Sequence, residues 1–199
     1  MPPEIYFQDH PECFALNEQG ERDPSGLCTT NKMTLSVVTE NVLNWLKNDP
    51  DGIVSVSIND GDVAYCSCKK CRQIERAEGG KAGLILQFVN AVAERVAEVY
   101  PKAKVDTIVY GKVLEVPKHV RPASNVLIRV CGSIIRSHPI SQYKKYRNEP
   151  ELRAVYEAGK KLVEWSKVAD KIYFWDYPAE YLCVNSIFPQ FHTIPMTYR

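Results

Sequence analysis

Hydrophobic and polar positions along the chain follow two different periods. Between Leu35 and Leu46 apolar residues recur every three or four positions, whereas residues 53–58 are rich in β-branched side chains and alternate. The first spacing predicts an amphipathic helix with Trp45 on its core-facing stripe, and the second predicts a strand. Residues 5–7 are predicted to be the end of an earlier strand. Thr30 or Asn31 offers an N-cap for the helix, and the turn sequence at residues 49–52 ends it before the strand begins.

The same alternation continues along the rest of the chain. It predicts a long polar loop at residues 59–82 and a helix at 84–99. Strands follow at 105–110 and 125–130, then a helix at 152–168 and a strand at 171–176. Pro117 and Pro122 make the link between the two successive strands irregular. Strands that alternate with helices predict a largely parallel sheet with right-handed crossovers.

The number of strands limits the fold class. Four strands are too few to close an eight-stranded barrel, which typically needs about 250 residues. An open doubly wound sheet would be expected to bind a nucleotide through a glycine-rich turn, and neither G-x-G-x-x-G nor G-x-x-x-x-G-K-[ST] occurs. We therefore expect an α/β fold in which residues 1–199 form a single domain, an incomplete (β/α) barrel of parallel strands.

Composition and charge exclude several classes of partner. Hydrophobic residues make up 45% and charged residues 25% of the chain, which is typical of a globular protein. A formal net charge of +1 argues against binding nucleic acid through phosphate neutralisation. No stretch approaches the roughly 20 apolar residues of a membrane span, and residues 1–4 do not resemble a signal peptide. Exposed edges of an incomplete barrel would favour self-association.

Polar and aromatic residues follow the predicted strands at their C-terminal ends, where function gathers in parallel α/β folds. They are Asn59, Asp60, Tyr110, Arg129, Cys131, Trp175, Asp176 and Tyr177. Aromatic rings pack on the apolar faces of sugars, and carboxylates and amides bind sugar hydroxyls. This set therefore predicts a carbohydrate site, to which His10 and His138, each preceding a proline in a loop, could add substrate-binding or acid–base groups.

Two carboxylates in this set suit cleavage of a glycosidic bond. Asp60 is the acid/base candidate and Asp176 its partner, and a separation of about 5 to 5.5 Å would indicate retention whereas about 6.5 to 9.5 Å would indicate inversion. The alternative is that Asp60 only caps the following loop and that Asp176 ends a strand in an ion pair.

Three of the seven cysteines, Cys66, Cys68 and Cys71, lie within six residues of each other. The pair Cys68-x-x-Cys71 has the spacing of a zinc half-site, and Cys66 is a candidate third ligand. A closed site needs a fourth ligand, for which the candidates are His138, Cys131 and Cys13. A disulfide within the loop or to Cys131 or Cys28, and reduced thiols without a metal, are the alternatives. A structural zinc ion is the one cofactor that the sequence suggests.

Several segments, in the same order, resemble a bacterial family known as domain of unknown function 4838. They are residues 10–16, 27–31, 54–60, 65–71, 88–93, 165–170 and 173–177. The resemblance extends to about Tyr181, and residues 186–199 depart from it. Gly132 also replaces the polar residue that usually follows Cys131.

The resemblance implies a function as well as a fold. Members of this family resemble glycoside hydrolases of the β-hexosaminidase and α-glucuronidase kind, which are built on (β/α) barrels. The chain would then be roughly the C-terminal half of a barrel, with residues 53–58 as about the fourth strand and residues 172–175 as about the seventh. Related barrels carry catalytic carboxylates on these strands, where Asp60 and Asp176 fall. The resemblance implies an extracytoplasmic protein that hydrolyses or binds a polysaccharide or oligosaccharide; a non-catalytic carbohydrate-binding domain and a zinc-stabilised module are the alternatives.

Overall fold

A computed structural model describes residues 1–61, 63–131 and 138–175 of the chain. Its helices are α1 (Pro3–Tyr6), α2 (Lys32–Leu46), α3 (Lys69–Glu78), α4 (Lys81–Val99) and α5 (Arg153–Ser166). Its strands are β1 (Phe14–Leu16), β2 (Arg22–Leu27), β3 (Ile53–Ser55), β4 (Lys104–Val109), β5 (Val126–Cys131) and β6 (Ile172–Trp175). Short 3-10 helices lie at Pro11–Cys13, Gly111–Val113, Ile140–Tyr146 and Pro150–Leu152.

The main sheet contains β3, β4, β5 and β6 in sequence order, and all neighbours are parallel. Strands β1 and β2 form a separate antiparallel hairpin. Within the described ranges the sheet is not closed, so the fold is mixed α/β, consistent with a partial (β/α) barrel. The prediction of fold class is confirmed.

The start of α2 shows how local sequence fixes an element. The Asn31 side chain accepts hydrogen bonds from the backbone N–H groups of Met33 and Thr34, which the first turn of a helix leaves without partners. The Thr34 hydroxyl donates to the carbonyl of Cys13, 3.0 Å away, and joins the helix to the hairpin region. Of the two predicted caps, Thr30 and Asn31, the structure therefore uses Asn31.

The core lies between the helices and one face of the main sheet. Val54, Val105 and Ile128 point to this face from neighbouring strands and are buried. They pack with buried residues of α2, α4 and α5: Val42, Leu46, Val89, Val92, Val96 and Trp165. Because strand side chains alternate, the next residues along each strand point to the opposite face.

That opposite face carries polar and aromatic side chains. Ser55, Tyr173 and Trp175 are exposed there. Parallel sheets normally have both faces covered, and in a complete barrel this face would line the interior. The candidate site residues at the strand ends border this face.

Helix α3 was not predicted, and its residues were assigned to a polar loop. Only three of its ten residues are apolar, Cys71, Ile74 and Ala77, and only Cys71 and Glu78 are buried, so it lacks the long apolar stripe of the other helices. Likewise, residues 5–7 were predicted to end a strand, whereas Pro3–Tyr6 is a short helix.

The prediction that Trp45 lies in the core is also wrong, because its side chain is 62% exposed. Its position on the apolar stripe of α2 was read correctly, but β3 is the edge strand of the main sheet. The sheet therefore ends before it reaches Trp45.

The buried carboxylate of Glu78 supports the loop after β4. It accepts hydrogen bonds from the N–H groups of His119 and Val120, at 2.9 and 3.0 Å. Burial raises the pKa of Glu78, but these two hydrogen bonds, helped by the charges of His119 and Arg121, outweigh it, and the net pKa is lowered. The ionised form is thus the one that the folded protein prefers.

We expect Glu78→Gln to lower the free energy of unfolding at pH 7 by about 1.5 to 3 kcal/mol, the usual contribution of hydrogen bonds to a charged group. A lowered folded-state pKa stabilises the protein above the unfolded value of about 4.3 and is lost as the pH falls through the folded value. The difference between wild type and variant should therefore shrink below about pH 4, as measured by urea unfolding. Glu98→Gln, at an exposed position, is the control. A difference that stays constant with pH would contradict the charge-based explanation.

Candidate functional site

Four cysteines converge beside the C-terminal end of β3. The Sγ atoms of Cys28, Cys66, Cys68 and Cys71 all lie within 4.8 Å of one another. Cys28 Sγ is 3.9 Å from that of Cys68 and 4.0 Å from that of Cys71. All four are thiols, and all except the half-buried Cys68 are buried. Four sulfurs around a tetrahedral zinc ion, with Zn–S bonds of about 2.3 Å, would be about 3.8 Å apart, so this cluster could hold a metal with small adjustments.

Each cysteine reaches the cluster from a different part of the local structure. Cys28 directly follows β2, and Cys66 lies in the loop after β3. Cys68 is the N-cap residue of α3 and Cys71 is in its first turn. The N-terminal end of a helix favours negative charge, which suits thiolate ligands.

The four thiols of the cluster interact electrostatically, and their pKa values shift in opposite directions. The neighbouring thiols of Cys66 and Cys71 lower the pKa of Cys28, because a thiolate at Cys28 accepts hydrogen bonds from them. The same interactions with Cys28 and Cys66 raise the pKa of Cys71. A set of four sulfur ligands is typical of a closed structural zinc site, since it leaves no open position for a catalytic water.

The structure brings the three predicted cysteines together but supplies an unpredicted fourth. That residue is Cys28, rather than His138, Cys131 or Cys13. The Sγ atom of Cys13 instead lies 3.7 Å from Oδ1 of Asn31, and the ring of His138 packs edge-on against Tyr146. Cys28 has no motif of its own and lies 40 residues before Cys68, so no spacing rule identified it.

The strand-end residues Asn59, Asp60 and Tyr110 also come together. The Tyr110 hydroxyl donates to Oδ1 of Asp60 at 3.0 Å and lies 3.2 Å from the backbone oxygen of Asn59. The same Asp60 oxygen accepts the N–H of Gly61 at 2.9 Å. Burial and the Asp60 carboxylate raise the pKa of Tyr110 to about 12, so this tyrosine stays protonated and orients Asp60.

Arg129 was predicted to bind substrate, but its guanidinium forms an ion pair with the carboxylate of Asp106 on β4. Asp106 is only 1% exposed, and its Oδ1 has no hydrogen-bond partner among the residues that the structure describes. The guanidinium of Arg129 also lies 5.4 Å from the centre of the Trp175 ring. Sequence reasoning missed Asp106, because nothing in the strand pattern distinguishes a buried acidic residue from a solvated one.

The remaining predicted residues are placed as follows. His10 lies beside the short helix Pro11–Cys13, with Nδ1 3.4 Å from Oε1 of Glu12. Asp176 and Tyr177 fall outside the described residues, and the separation of Asp60 from Asp176 stays a prediction. Across the described ranges, no helix combines the length and the apolar character needed to span a membrane.

The loop that joins β3 to α3 lies directly against the hairpin at Gly26. A Cβ atom at this position would overlap the carbonyl oxygen of Ala64. We expect Gly26→Ala to lower the free energy of unfolding by about 1 to 3 kcal/mol, as overpacking usually does. Gly80→Ala is the matched control, because a Cβ there meets nothing within 4 Å. Equal urea midpoints for the two variants would show that the contact is looser than described.

A parallel sheet with helices against one face, and a four-thiol cluster beside its C-terminal edge, define an α/β protein of the partial-barrel class with a candidate metal centre. The chain belongs to the family described as Domain of unknown function (DUF4838), whose model matches residues 1–199. The family resemblance seen in the sequence is thereby confirmed, but the expectation that residues 186–199 depart from it is wrong, because the match includes them.

Comparisons with characterised proteins add little to the family assignment. No curated protein matches the chain. Among solved structures, it is similar to the beta-N-acetylhexosaminidase from Bacteroides fragilis NCTC 9343, with 18% sequence identity and a TM-score of 0.44. The similarity covers 83% of this chain, which spans 30% of the length of that enzyme.

Proposed function

We propose that this chain is part of a glycoside-hydrolase-like barrel and binds a polysaccharide or oligosaccharide at the edge formed by Asn59, Asp60 and Tyr110. The observation that supports this proposal best is the fixed carboxylate of Asp60. It lies just beyond the C-terminal end of β3, held by the Tyr110 hydroxyl and the Gly61 N–H. Active sites of barrel enzymes occupy this end of the strands.

The sheet face that Asp60 borders carries groups that suit a sugar. Tyr173 and Trp175 of β6, at the other lateral edge of the sheet from β3, are 49% and 40% exposed on this face. Aromatic faces supply large apolar contact area to the C–H patches of sugar rings. The Asp60 carboxylate and the Tyr110 hydroxyl, beyond the C-terminal ends of β3 and β4, can bind sugar hydroxyls.

In the proposed reaction, Asp60 in its protonated form donates a proton to the glycosidic oxygen as the bond between that oxygen and the anomeric carbon breaks. A second carboxylate either attacks the anomeric carbon or removes a proton from the water that does so, and one water is consumed per bond. Asp176 is the partner that we propose, on the basis of its position after β6 in the sequence.

The test is cleavage of soluble fragments of cellulose, chitin, xylan and pectin by the full chain and by Asp60→Asn. General acid catalysis contributes about 10² to 10⁴-fold, so we expect the variant to lose at least about 100-fold in rate while it still binds the fragment. Asp51→Asn, at an exposed position at the opposite end of β3, is the control. Equal rates for Asp60→Asn and wild type would remove Asp60 from catalysis. Binding without cleavage by wild type would instead favour a non-catalytic carbohydrate-binding domain.

A second proposal concerns the four-cysteine cluster, which we infer binds one structural zinc ion. The convergence of Cys28, Cys66, Cys68 and Cys71 within 4.8 Å supports it. Zinc suits a closed tetrahedral set of thiolates, and such sites contribute directly to folding. Elemental analysis of the purified chain should find one zinc per molecule. A metal-free protein whose four thiols all react with a thiol reagent would overturn this proposal.

A further inference from the structure

We propose that the metal in the four-cysteine cluster positions Asn59 and Asp60, through the hairpin and the loop that connect them to the cluster. The loop is residues 56–67, and the hairpin is β1 with β2. This inference rests on the proposed zinc site and on the proposed role of Asp60. It makes Cys66 and Ser25 positioning residues for the candidate saccharide site.

The loop is held in place mainly from outside. Its described residues, 56–61 and 63–67, form no helix or strand, and several of their polar groups bond to the hairpin. The Asn59 side chain donates to the carbonyl of Ser25 at 3.1 Å, and the N–H of Ala64 donates to the Ser25 hydroxyl at 3.0 Å. The N–H of Ser67 donates to the carbonyl of Leu16 at 2.7 Å. Residues 56 and 57 are tied instead to β4, where the N–H of Val56 donates to the carbonyl of Asp106 and the Ser57 hydroxyl accepts the N–H of Ile108. The hairpin is therefore the main support of the rest of the loop.

The apolar support of the hairpin is local, with Phe14 buried against the ring of Phe7. The hairpin is not part of the main sheet, and a two-stranded hairpin alone is marginally stable. The buried cluster beneath it is small and separate from the main core, and consists of Ala15, Cys28, Cys66, Cys71 and Leu84. Three of these five side chains are cysteines of the candidate metal site. A metal bound to them would thus be the main tie between the hairpin, the loop and α3.

The positions of Cys28 and Cys66 connect the candidate metal site to the loop that carries Asp60. Cys28 ends the hairpin, two residues after Gly26, which lies against Ala64. Cys66 is in the loop itself, and its sulfur lies 3.4 Å from the N–H of Leu16. Tyr110 holds the other side of Asp60 to the main sheet. With metal bound, Asp60 is fixed between the hairpin and β4; without it, the contacts with β4 and Tyr110 remain but the side of the loop that faces the hairpin is loosened.

Hydrogen–deuterium exchange of the full chain tests this coupling. The zinc-loaded protein is compared with protein that has been treated with EDTA under reducing conditions. We expect the amides of residues 14–28 and 56–67 to exchange at least about tenfold faster without the metal, and added zinc to restore their protection. Exchange in β4 should not change, whereas a general loss of stability would accelerate it too.

Variants separate the metal from burial of a thiol. Cys68→Ser removes the least buried of the four ligands and should loosen residues 56–67 as chelation does. Cys13→Ser, which changes a buried cysteine outside the cluster, should leave both zinc content and loop exchange as in wild type. If Cys68→Ser does not fold, the chelation experiment on wild type decides alone.

The outcomes distinguish this inference from the proposals beneath it. If zinc binds and its removal does not change the exchange of residues 56–67, the proposed coupling is wrong but the zinc site is supported. Absence of bound zinc would overturn both. A loop that loosens on chelation while Asp60→Asn cleaves glycans normally would keep the coupling and remove the role of Asp60.

Discussion

Replacing Cys28 by serine should remove zinc from the purified protein and lower its free energy of unfolding by more than about 4 kcal/mol. Loss of a structural metal is among the few single changes with effects this large. Apparent zinc-binding energies in small thiolate sites, about 10 to 16 kcal/mol, are larger than this predicted loss of stability. For a chain of this size the melting temperature should fall by roughly 8 to 16 °C, which calorimetry with parallel zinc analysis would measure.

Cys28 is the most informative of the four ligands to change, because no local motif includes it. A serine hydroxyl is similar in size but a poor ligand for zinc, so the change tests coordination more than packing. Cys13→Ser is the matched control at another buried cysteine near the hairpin. A Cys28→Ser protein that retains one zinc and the wild-type melting temperature would show that the cluster is not a four-ligand site.

The second large effect is expected at the ion pair between Asp106 and Arg129. Arg129→Met keeps the length and apolar stem of the side chain but leaves the carboxylate of Asp106, 1% exposed, without its partner. Removing one member of a buried pair typically costs about 3 to 5 kcal/mol. Urea unfolding at neutral pH measures the loss.

The control is Arg153→Met, which breaks an ion pair with Glu157 on α5. The Arg153 side chain is 73% exposed, and exposed pairs contribute about 0 to 1 kcal/mol. The double variant Asp106→Asn with Arg129→Met should recover part of the lost stability, because no charge is then left buried. Equal effects of Arg129→Met and Arg153→Met would contradict the burial of the Asp106 pair.

The structure shows contacts of Arg129 that the sequence did not indicate. Arg129 was a candidate substrate ligand because of its place near the end of a strand. Its guanidinium pairs with Asp106 and lies over the ring of Trp175, and its binding of substrate stays a prediction. The Tyr110 hydroxyl is directed to Asp60 and remains part of the proposed saccharide edge.

Much of the architecture was predictable from the sequence because it depends on local periodicity. Helices α2, α4 and α5 and the four strands of the main sheet each bury one apolar stripe or face, and that requirement is written directly in residue spacing. The cap at Asn31 followed from a side chain that can bond its own helix. Cys66, Cys68 and Cys71 were found together because a helix start and a short loop bring neighbouring residues to one point.

The tertiary structure alone decided the features that depend on distant residues. Helix α3 was not predicted from the sequence because its buried residues are a cysteine and an acidic residue rather than a long apolar stripe. Trp45 was assigned to the core because a helix pattern shows which face is apolar but not where the covering sheet ends. The pairing of Asp106 with Arg129 depends on which strands are neighbours, and a single strand does not record that.

The candidate site shows the same division. The sequence by itself determined that Asn59 and Asp60 follow a strand, and that three cysteines stand at metal-ligand spacing. Only the fold showed that Cys28 completes the cluster, since the hairpin and α3 must first meet. It alone also placed Ser25 of the hairpin against Asn59 and Ala64 of the loop. Spacing along the chain fixes which groups are close in one element, whereas contacts between elements arise from packing that no local pattern encodes.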